Sequence, residues 1–391
     1  MSASVYSDSL KMHAKLKGKL ELKSRVKVKT MRDLALAYTP GVAEPCRVIA
    51  KHPERVFDLT NKWNSVAVVS DGSRVLGLGN IGPEAALPVM EGKAVLFKEF
   101  ANVDAYAICI KAKTADEIVA AVKAISPSFD GINLEDIESP KCFEVEERLR
   151  REIDIPVFHD DQHGTAVVAL AALFNALKLA RKNLRTAKIV VNGVGAAGCA
   201  IVKLLVKAGA RNVVAVDKNG ALWLGKKGMA KHHKEIARLS NKRKIKGSLS
   251  DVIKGADVFV GVSVPRVLTQ AMVQSMAKRS IVLALANPVP EIDPREAKKA
   301  GAFIVATGRS DYENQVNNVL GFPGIFRGML DCRARRVNDE MKLAAAKAIA
   351  GVLNGKLSRR CILPKPFDKR VAPAVAKAVA KAARKTGVAR K

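Results

Sequence analysis

Paired cysteines are missing from this chain: Cys46, Cys109, Cys142, Cys199, Cys332 and Cys361 stand singly and form no CxxC. That gives neither a zinc ribbon nor a disulfide framework, and a reducing cytoplasm is the expected setting. Long apolar runs are missing too, none approaching the ~20 residues that cross a bilayer, so no membrane partner is expected. The opening stretch MSASVYSDSLKMHAKLKG has no apolar signal core, and secretion is not expected. Aromatic residues make up only 5% of the chain. Acids are short as well: 37 Asp and Glu face 67 Lys and Arg, a formal charge of +30. The cations concentrate in Lys11 to Arg32, Lys226 to Lys246 and Lys369 to Lys391. Those stretches hold few rings for base stacking and no nucleic-acid motif, which argues against a nucleic-acid partner. The excess reads as a solvated basic surface that aids solubility and steers anionic substrates.

What is present points to an α/β enzyme. The 391 residues, 48% of them hydrophobic, suffice for two domains with a large core. The run GVGAAG, Gly193 to Gly198, follows the β-branched segment KIVVNG and precedes the helix-like CAIVKLLVKAGA. The segment NVVAV then closes on Asp217. Strand, glycine loop, helix, strand and acid in that order predict a Rossmann-type dinucleotide site. Gly193 permits a tight turn, Gly195 lets backbone approach a pyrophosphate, and Gly198 lets the helix pack close. The helix start, with Ala196 and Ala197, offers free N–H groups and partial positive charge to phosphates. Asp217 is placed to bond a ribose 2′-hydroxyl, which favours NAD over NADP. Lys218, Lys226 and Lys227 stand close enough in sequence to admit NADP.

Further strand-like runs are Val66 to Val69, AYAICI (Ala105 to Ile110, expected to be buried), GINLEDI from Gly131 and IPVFHDD from Ile155. After Asp217 come ADVFVGV, SIVLALAN and FIVATG. Helical patterns lie between them, so a parallel, doubly wound sheet is expected. A helix is expected after Pro83, another after the cap Thr114, and an amphipathic one in the Val371 to Lys391 tail. The domain boundary falls near the helical stretch from Gly164 to Ala180, giving domains 1–162 and 163–391.

Four separated clusters carry chemistry: Tyr38 in YTPGVAEPC, Arg74 in SDGSRVLGLGNIG, Lys93 in EGKAVLFKEF, and the acids Glu135, Asp136, Asp160 and Asp161. Acids ending two strands converge at the carboxyl edge of a sheet, where open α/β proteins bind ligands. Clustered carboxylates repel unless a cation separates them, and oxygen ligands suit Mg²⁺ or Mn²⁺. The alternative is that these acids cap helices or pair with Lys and Arg. His159 and His163 flank the acid pair and read as structural histidines. A lysine beside a divalent cation loses proton affinity and is able to act as a base near neutrality. A tyrosine is able to act as an acid, and an arginine to grip a carboxylate.

The segments YTPGVAEPC, SDGSRVLGLGNIGPEAALPVMEGKAVLFKEF, INLEDI and FHDDQHGTA strongly resemble the malic enzymes in their short bacterial and archaeal form. NGVGAAG, ALANPVPEI and NQVNNVLGFPGIFRG continue the match, which covers roughly Leu34 to Leu330. The resemblance implies an N-terminal malic-enzyme domain followed by a Rossmann NAD(P)-binding domain. It implies oxidative decarboxylation of L-malate to pyruvate and CO2 with reduction of NAD(P)⁺. Tyr38 then matches the acid that protonates C3, Lys93 the base at the C2 hydroxyl, and Asp160 the acid that tunes the lysine. Glu135, Asp136 and Asp161 match metal ligands, and Arg74 matches the substrate-carboxylate arginine. Asn287, Asn317 and Asn318 match asparagines at substrate and nicotinamide. Which of Asn317 and Asn318 faces substrate stays open. A homodimer or larger assembly is implied. A malolactic or oxaloacetate-decarboxylating reaction on the same residues is one alternative, and a polyanion-binding protein on a degenerate scaffold is another.

Overall fold

The computed structural model describes residues 3–391. Two parallel sheets form its frame. The first orders β2(Asp104–Cys109), β1(Ser65–Ser70), β3(Gly131–Leu134) and β4(Val157–His159) side by side, all parallel. The second runs β10(Ile304–Thr307), β9(Ile281–Ala284), β8(Val258–Gly261), β5(Lys188–Asn192), β6(Asn212–Asp217) and β7(Gly220–Ala221). Its β7 is a two-residue antiparallel addition that hydropathy alone does not reveal.

The central strands are short β-branched runs because helices cover both faces of each sheet. All six residues of β1 are buried. The strand predicted at AYAICI forms, but as half-buried β2 rather than a buried one, because it lies at the sheet edge. One face of the first sheet packs on the helices Ala115–Ile125 and Lys141–Glu152. Its other face joins a core continuous with the second sheet. Three edge-to-face ring pairs tie that core together: Phe97–Phe322 at 4.8 Å, Phe97–Phe326 at 5.1 Å and Phe158–Phe326 at 5.8 Å. Each such pair contributes about 1 kcal/mol beyond its buried area. They hold the helix Phe322–Asp331, late in sequence, against Pro83–Ala101, early in sequence. The C-terminal amphipathic helix forms at Val371–Lys385 and packs on Phe322–Asp331.

The helix Asp160–Ala180 corrects one expectation. With 21 residues, largely apolar after its opening acids, it has the length and composition of a membrane span. It is the core helix between the two sheets, and most of its residues are buried. Its hydropathy reflects burial on most of its faces rather than contact with lipid.

In each sheet the order reverses at the earliest strand. The chain steps from β1 to β2 on one side and reaches β3 on the other. It steps from β5 to β6 on one side and reaches β8 on the other. Crevices open beyond the carboxyl ends at such switch points.

Candidate active site

The first crevice collects the acids and the lysine. Glu135 and Asp136 follow β3 directly, and Asp160 and Asp161 open the helix that follows β4. Lys93 comes from the middle of helix Pro83–Ala101 and is buried. Its Nζ donates to Asp160 Oδ2 at 2.6 Å and lies 2.9 Å from Glu135 Oε1. The ammonium also sits 4.1 Å above the Phe322 ring. Asn318 donates its amide to the same Asp160 oxygen, and Asn133 donates to Glu135 Oε2 at 2.8 Å. Two acids at a helix start are favoured by its free N–H groups.

Glu135, Asp136 and Asp161 each offer one oxygen, all within 4.8 Å of one another. Burial, then mutual repulsion, pushes the Asp136 carboxyl up to about 8. Glu135 is raised for the same reasons, against the pull of Lys93. Among the described residues Asp136 Oδ2 and Asp160 Oδ1 are buried without a partner. A hard divalent cation answers such a set of oxygens, and the residues fit Mg²⁺ or Mn²⁺. For Lys93 the direction is the reverse of the lowering expected beside a cation. Burial works against its charge, but Asp160 and Glu135 outweigh burial and hold the ammonium well above its ordinary value.

Of the flanking histidines, His163 Nε2 meets Glu146 Oε1 at 2.8 Å. His159 is fully buried, its ring has no hydrogen-bond partner among the described residues, and Nε2 lies 3.8 Å from Asp161 Oδ2. Burial lowers the His159 imidazole to about 4, so it is neutral at pH 7. Arg74 is exposed, with its N–H donating to the Asp136 carbonyl at 3.0 Å. It is close enough to favour the charged form of Asp161.

The second crevice is built from glycine. Gly193 has φ +101°, and a Cβ there would lie 2.5 Å from the Val262 carbonyl. A Cβ on Gly198 would lie 1.8 Å from the Gly193 carbonyl, so only glycine lets the helix Ala196–Lys207 start this close. Nothing lies within 4 Å of a Cβ at Gly195, which caps that helix without a side-chain bond. Ala196 and Ala197 open the first turn, which holds no acid. Asp217 ends β6; its Oδ1 accepts from the Asn219 N–H at 2.8 Å. Lys226 Nζ lies 3.5 Å from Asp217 Oδ1, and His233 Nδ1 lies 3.7 Å from Oδ2.

The Asn287–Pro288 loop, which follows β9, approaches Gly308 after β10 and Gly77 in the loop after β1. A Cβ on Gly308 would lie 2.7 Å from Asn287 Nδ2, and one on Gly77 would lie 2.9 Å from Pro288 Cδ. The asparagine pair separates: Asn317 Oδ1 caps the short helix Asn318–Leu320 by accepting from the Val319 N–H at 3.0 Å, while Asn318 reaches Asp160. Tyr38 stands apart. It ends the helix Met31–Ala37, is 67% exposed, and makes no side-chain hydrogen bond among the described residues.

Three supporting residues escaped the sequence reading. A Cβ on Gly164 would lie 1.8 Å from Asp160 Oδ1, so this glycine makes room for the acid one turn earlier. Glu291 is fully buried; it accepts from the N–H of Ser263 at 2.8 Å and of Ala286 at 3.1 Å, bracing the loops beside the glycine crevice. Phe322 floors Lys93. Of these, the i to i+4 spacing of Asp160 and Gly164 was the only signal in sequence.

Known proteins agree with this geometry. The family models "Malic enzyme, N-terminal domain" and "Malic enzyme, NAD binding domain" match residues 17–117 with 110–150 and residues 162–384. The bifunctional malic/malolactic enzyme of Bacillus subtilis is 58% identical, over 99% of this chain and 95% of that protein. The NADP-dependent malic enzyme of Escherichia coli is 48% identical, over 95% of this chain and 51% of its own length. The crystal structure of an NAD-dependent malic enzyme from Thermotoga maritima superimposes with TM-score 0.92 at 50% identity, covering 95% of this chain and 98% of that one. The chain that assembles these two crevices belongs to the malic enzyme family.

Proposed function

We propose that the chain oxidatively decarboxylates L-malate to pyruvate and CO2, reducing NAD(P)⁺, with NAD⁺ preferred. The observation that carries this reading is the buried contact of Lys93 with Asp160 and Glu135 at one crevice, in a chain whose second sheet opens on a glycine loop and a bare helix start. Lys93 first passes its ammonium proton to Asp160, whose carboxyl burial raises to about 7 and which lies 2.6 Å away. The neutral amine then takes the C2 hydroxyl proton as hydride leaves C2 for the nicotinamide. Arg74 and Asn318 would grip the substrate, and Asn287 would contact substrate and nicotinamide. CO2 then departs from the β-carboxylate, and Tyr38 protonates C3 of the enolate. Glu135, Asp136 and Asp161 would hold a divalent cation, which would supply Lewis-acid polarisation of the substrate. Asp217 supports NAD⁺, because its carboxylate disfavours a 2′-phosphate. The division at residues 162–163 and a cytoplasmic setting belong to the same reading.

The position of Tyr38 adds an oligomeric requirement. Among the described residues, fourteen of the twenty-two exposed large apolar side chains lie between Val5 and Val42, on the arm that carries Tyr38. Lys93, in contrast, is buried. A second copy that covers this arm and takes Tyr38 into its own crevice satisfies both facts, so the active unit is a homodimer or a multiple of it.

The test follows NAD(P)H absorbance and pyruvate together, with L-malate and Mn²⁺ and either nicotinamide. Matching yields support the reaction, and the faster nicotinamide decides the preference. Lactate without absorbance change replaces it with the malolactic reaction, a reading favoured by the Bacillus relative's name. Mixing inactive Tyr38→Phe and Lys93→Ala chains tests the dimer. Regained activity supports shared sites, and continued silence after verified subunit exchange removes them.

A further inference from the structure

A cavity of about 330 Å³ lies at the amino edge of the second sheet, opposite the glycine crevice. Arg185, Arg211, Lys242 and Arg243 line it, and no carboxylate does. Arg211 immediately precedes β6, which ends at Asp217 on the other edge. Unpaired cations are common on a chain with charge +30. Two comparisons set these four apart. Elsewhere Lys182, Lys207 and Lys226 are each paired, with Asp257, Glu340 and Asp217. A second basic cavity of similar size, about 350 Å³, carries its own acids, Glu152 and Asp154. There Arg390 and Arg335 lie 2.6 and 3.8 Å from Asp154. At the first cavity the protein supplies cations and leaves the counter-charge to something else.

The basic loop is also held in one shape. Asn241 is buried and has φ 45°, and Lys244 has φ 53°. Non-glycine residues take that left-handed conformation only when their surroundings enforce it. Asn241 Nδ2 donates to the carbonyls of Leu222 and Ile245, both at 2.8 Å. Its Oδ1 accepts from the Ile245 N–H at 2.8 Å, and its own N–H donates to the Val213 carbonyl at 2.7 Å. The backbone of the turn bearing Lys242 and Arg243 is thus tied to β6, beside Arg211, and the four cationic side chains are exposed at the cavity. Guanidinium forks match phosphate oxygens in pairs. The volume is at the lower end for a small-molecule site.

We propose that this cavity is a second anion site that binds a chain of two or three linked phosphates, free or as the tail of a nucleotide. The test is calorimetric titration of NAD(P)⁺-saturated protein, so that the glycine crevice is filled, with inorganic tripolyphosphate and separately with ATP. One saturable site is expected. Arg243→Glu is expected to weaken it at least ~10-fold, about one lost charge-assisted contact. Lys377→Glu, the same charge change on the exposed face of Val371–Lys385, is expected to leave it unchanged. Both variants should keep reducing cofactor with malate, which shows them folded. Equal affinity for the two probes assigns recognition to the phosphates alone; tighter ATP assigns it to a nucleotide. Absence of saturable binding overturns the site. So does equal weakening by the two substitutions, which reports diffuse charge, and so does capture of a single-stranded oligonucleotide without tripolyphosphate.

Discussion

The two crevices are made alike and charged oppositely. Each lies where a parallel sheet reverses its order, between β1 and β3 or between β5 and β8. At the first, side chains do the work: buried Glu135, Asp136 and Asp160 and half-buried Asp161 gather beyond two strand ends, with buried Lys93 reaching in from a helix. At the second, side chains are withheld, and glycine and alanine bare a helix start. One is suited to a cation and the other to an anion. The teaching is that backbone topology selects where a ligand sits, while residue size and charge at the strand ends select its sign.

Substitutions that touch one crevice should spare the other. The largest effect is expected at Lys93: replacement by alanine should lower kcat by roughly 10³-fold, the range of a lost general base. NAD(P)⁺ binding, measured by fluorescence titration, should hold; equal loss of both would dissolve the division. Asp161→Asn should raise the Mn²⁺ concentration for half-maximal rate by about tenfold or more, within the range of a changed metal site. An unchanged metal requirement would strike Asp161 from the ligands. Ala197→Asp, a carboxylate at the helix start, should raise the cofactor KM by about tenfold through repulsion of the pyrophosphate. It should leave the metal requirement alone, and a shift in Mn²⁺ dependence would count against independence.

Gly164→Ala asks how finely the acid crevice is set. Its methyl group meets Asp160, so kcat should fall about tenfold from displacement of a positioned group, with thermal stability nearly kept. Full activity would show that Asp160 is free to move.

The smallest effect concerns the amino edge of the first sheet. Asp130 is buried beside β3, and neither carboxyl oxygen has a partner among the described residues. Burial pushes this carboxyl from 3.8 up to about 7, despite Lys62, Arg390, Arg333 and Arg327. The folded chain therefore keeps a proton there that the unfolded chain releases. Stability from this group is complete below about pH 4, falls as pH climbs to about 7, and is gone above. Asp130→Asn should flatten that fall. Melting curves of both proteins from pH 5 to 8 decide, and parallel curves would mean that Asp130 is ionised throughout.

Much of this was legible before any coordinates. The glycine loop and the acids that end two strands mark their crevices, because local chain geometry dictates both. The half-buried state of β2 was not legible, since an edge strand and a central one share a pattern and differ only in their neighbours. Nor was the packing of Phe322–Asp331 against Pro83–Ala101, which joins residues more than 200 positions apart. Glu291 looks in sequence like any surface acid; its two backbone donors arrive from separate loops. Tyr38 was legible as a motif, while its exposure depends on how the arm is covered.

The acid triad does not ride on a single body. Glu135 and Asp136 are fixed to β3, whereas Asp161 belongs to the first turn of a 21-residue helix packed chiefly on the Rossmann half. At 1.5 Å per residue that helix is a rod about 30 Å long. It springs from β4 with no intervening loop, so one peptide, His159–Asp160, joins strand to rod. A tilt of the rod would alter the spacing of the three oxygens. The carboxylates thus gauge how the rod sits on β3, and a cation held among them would tie strand to rod.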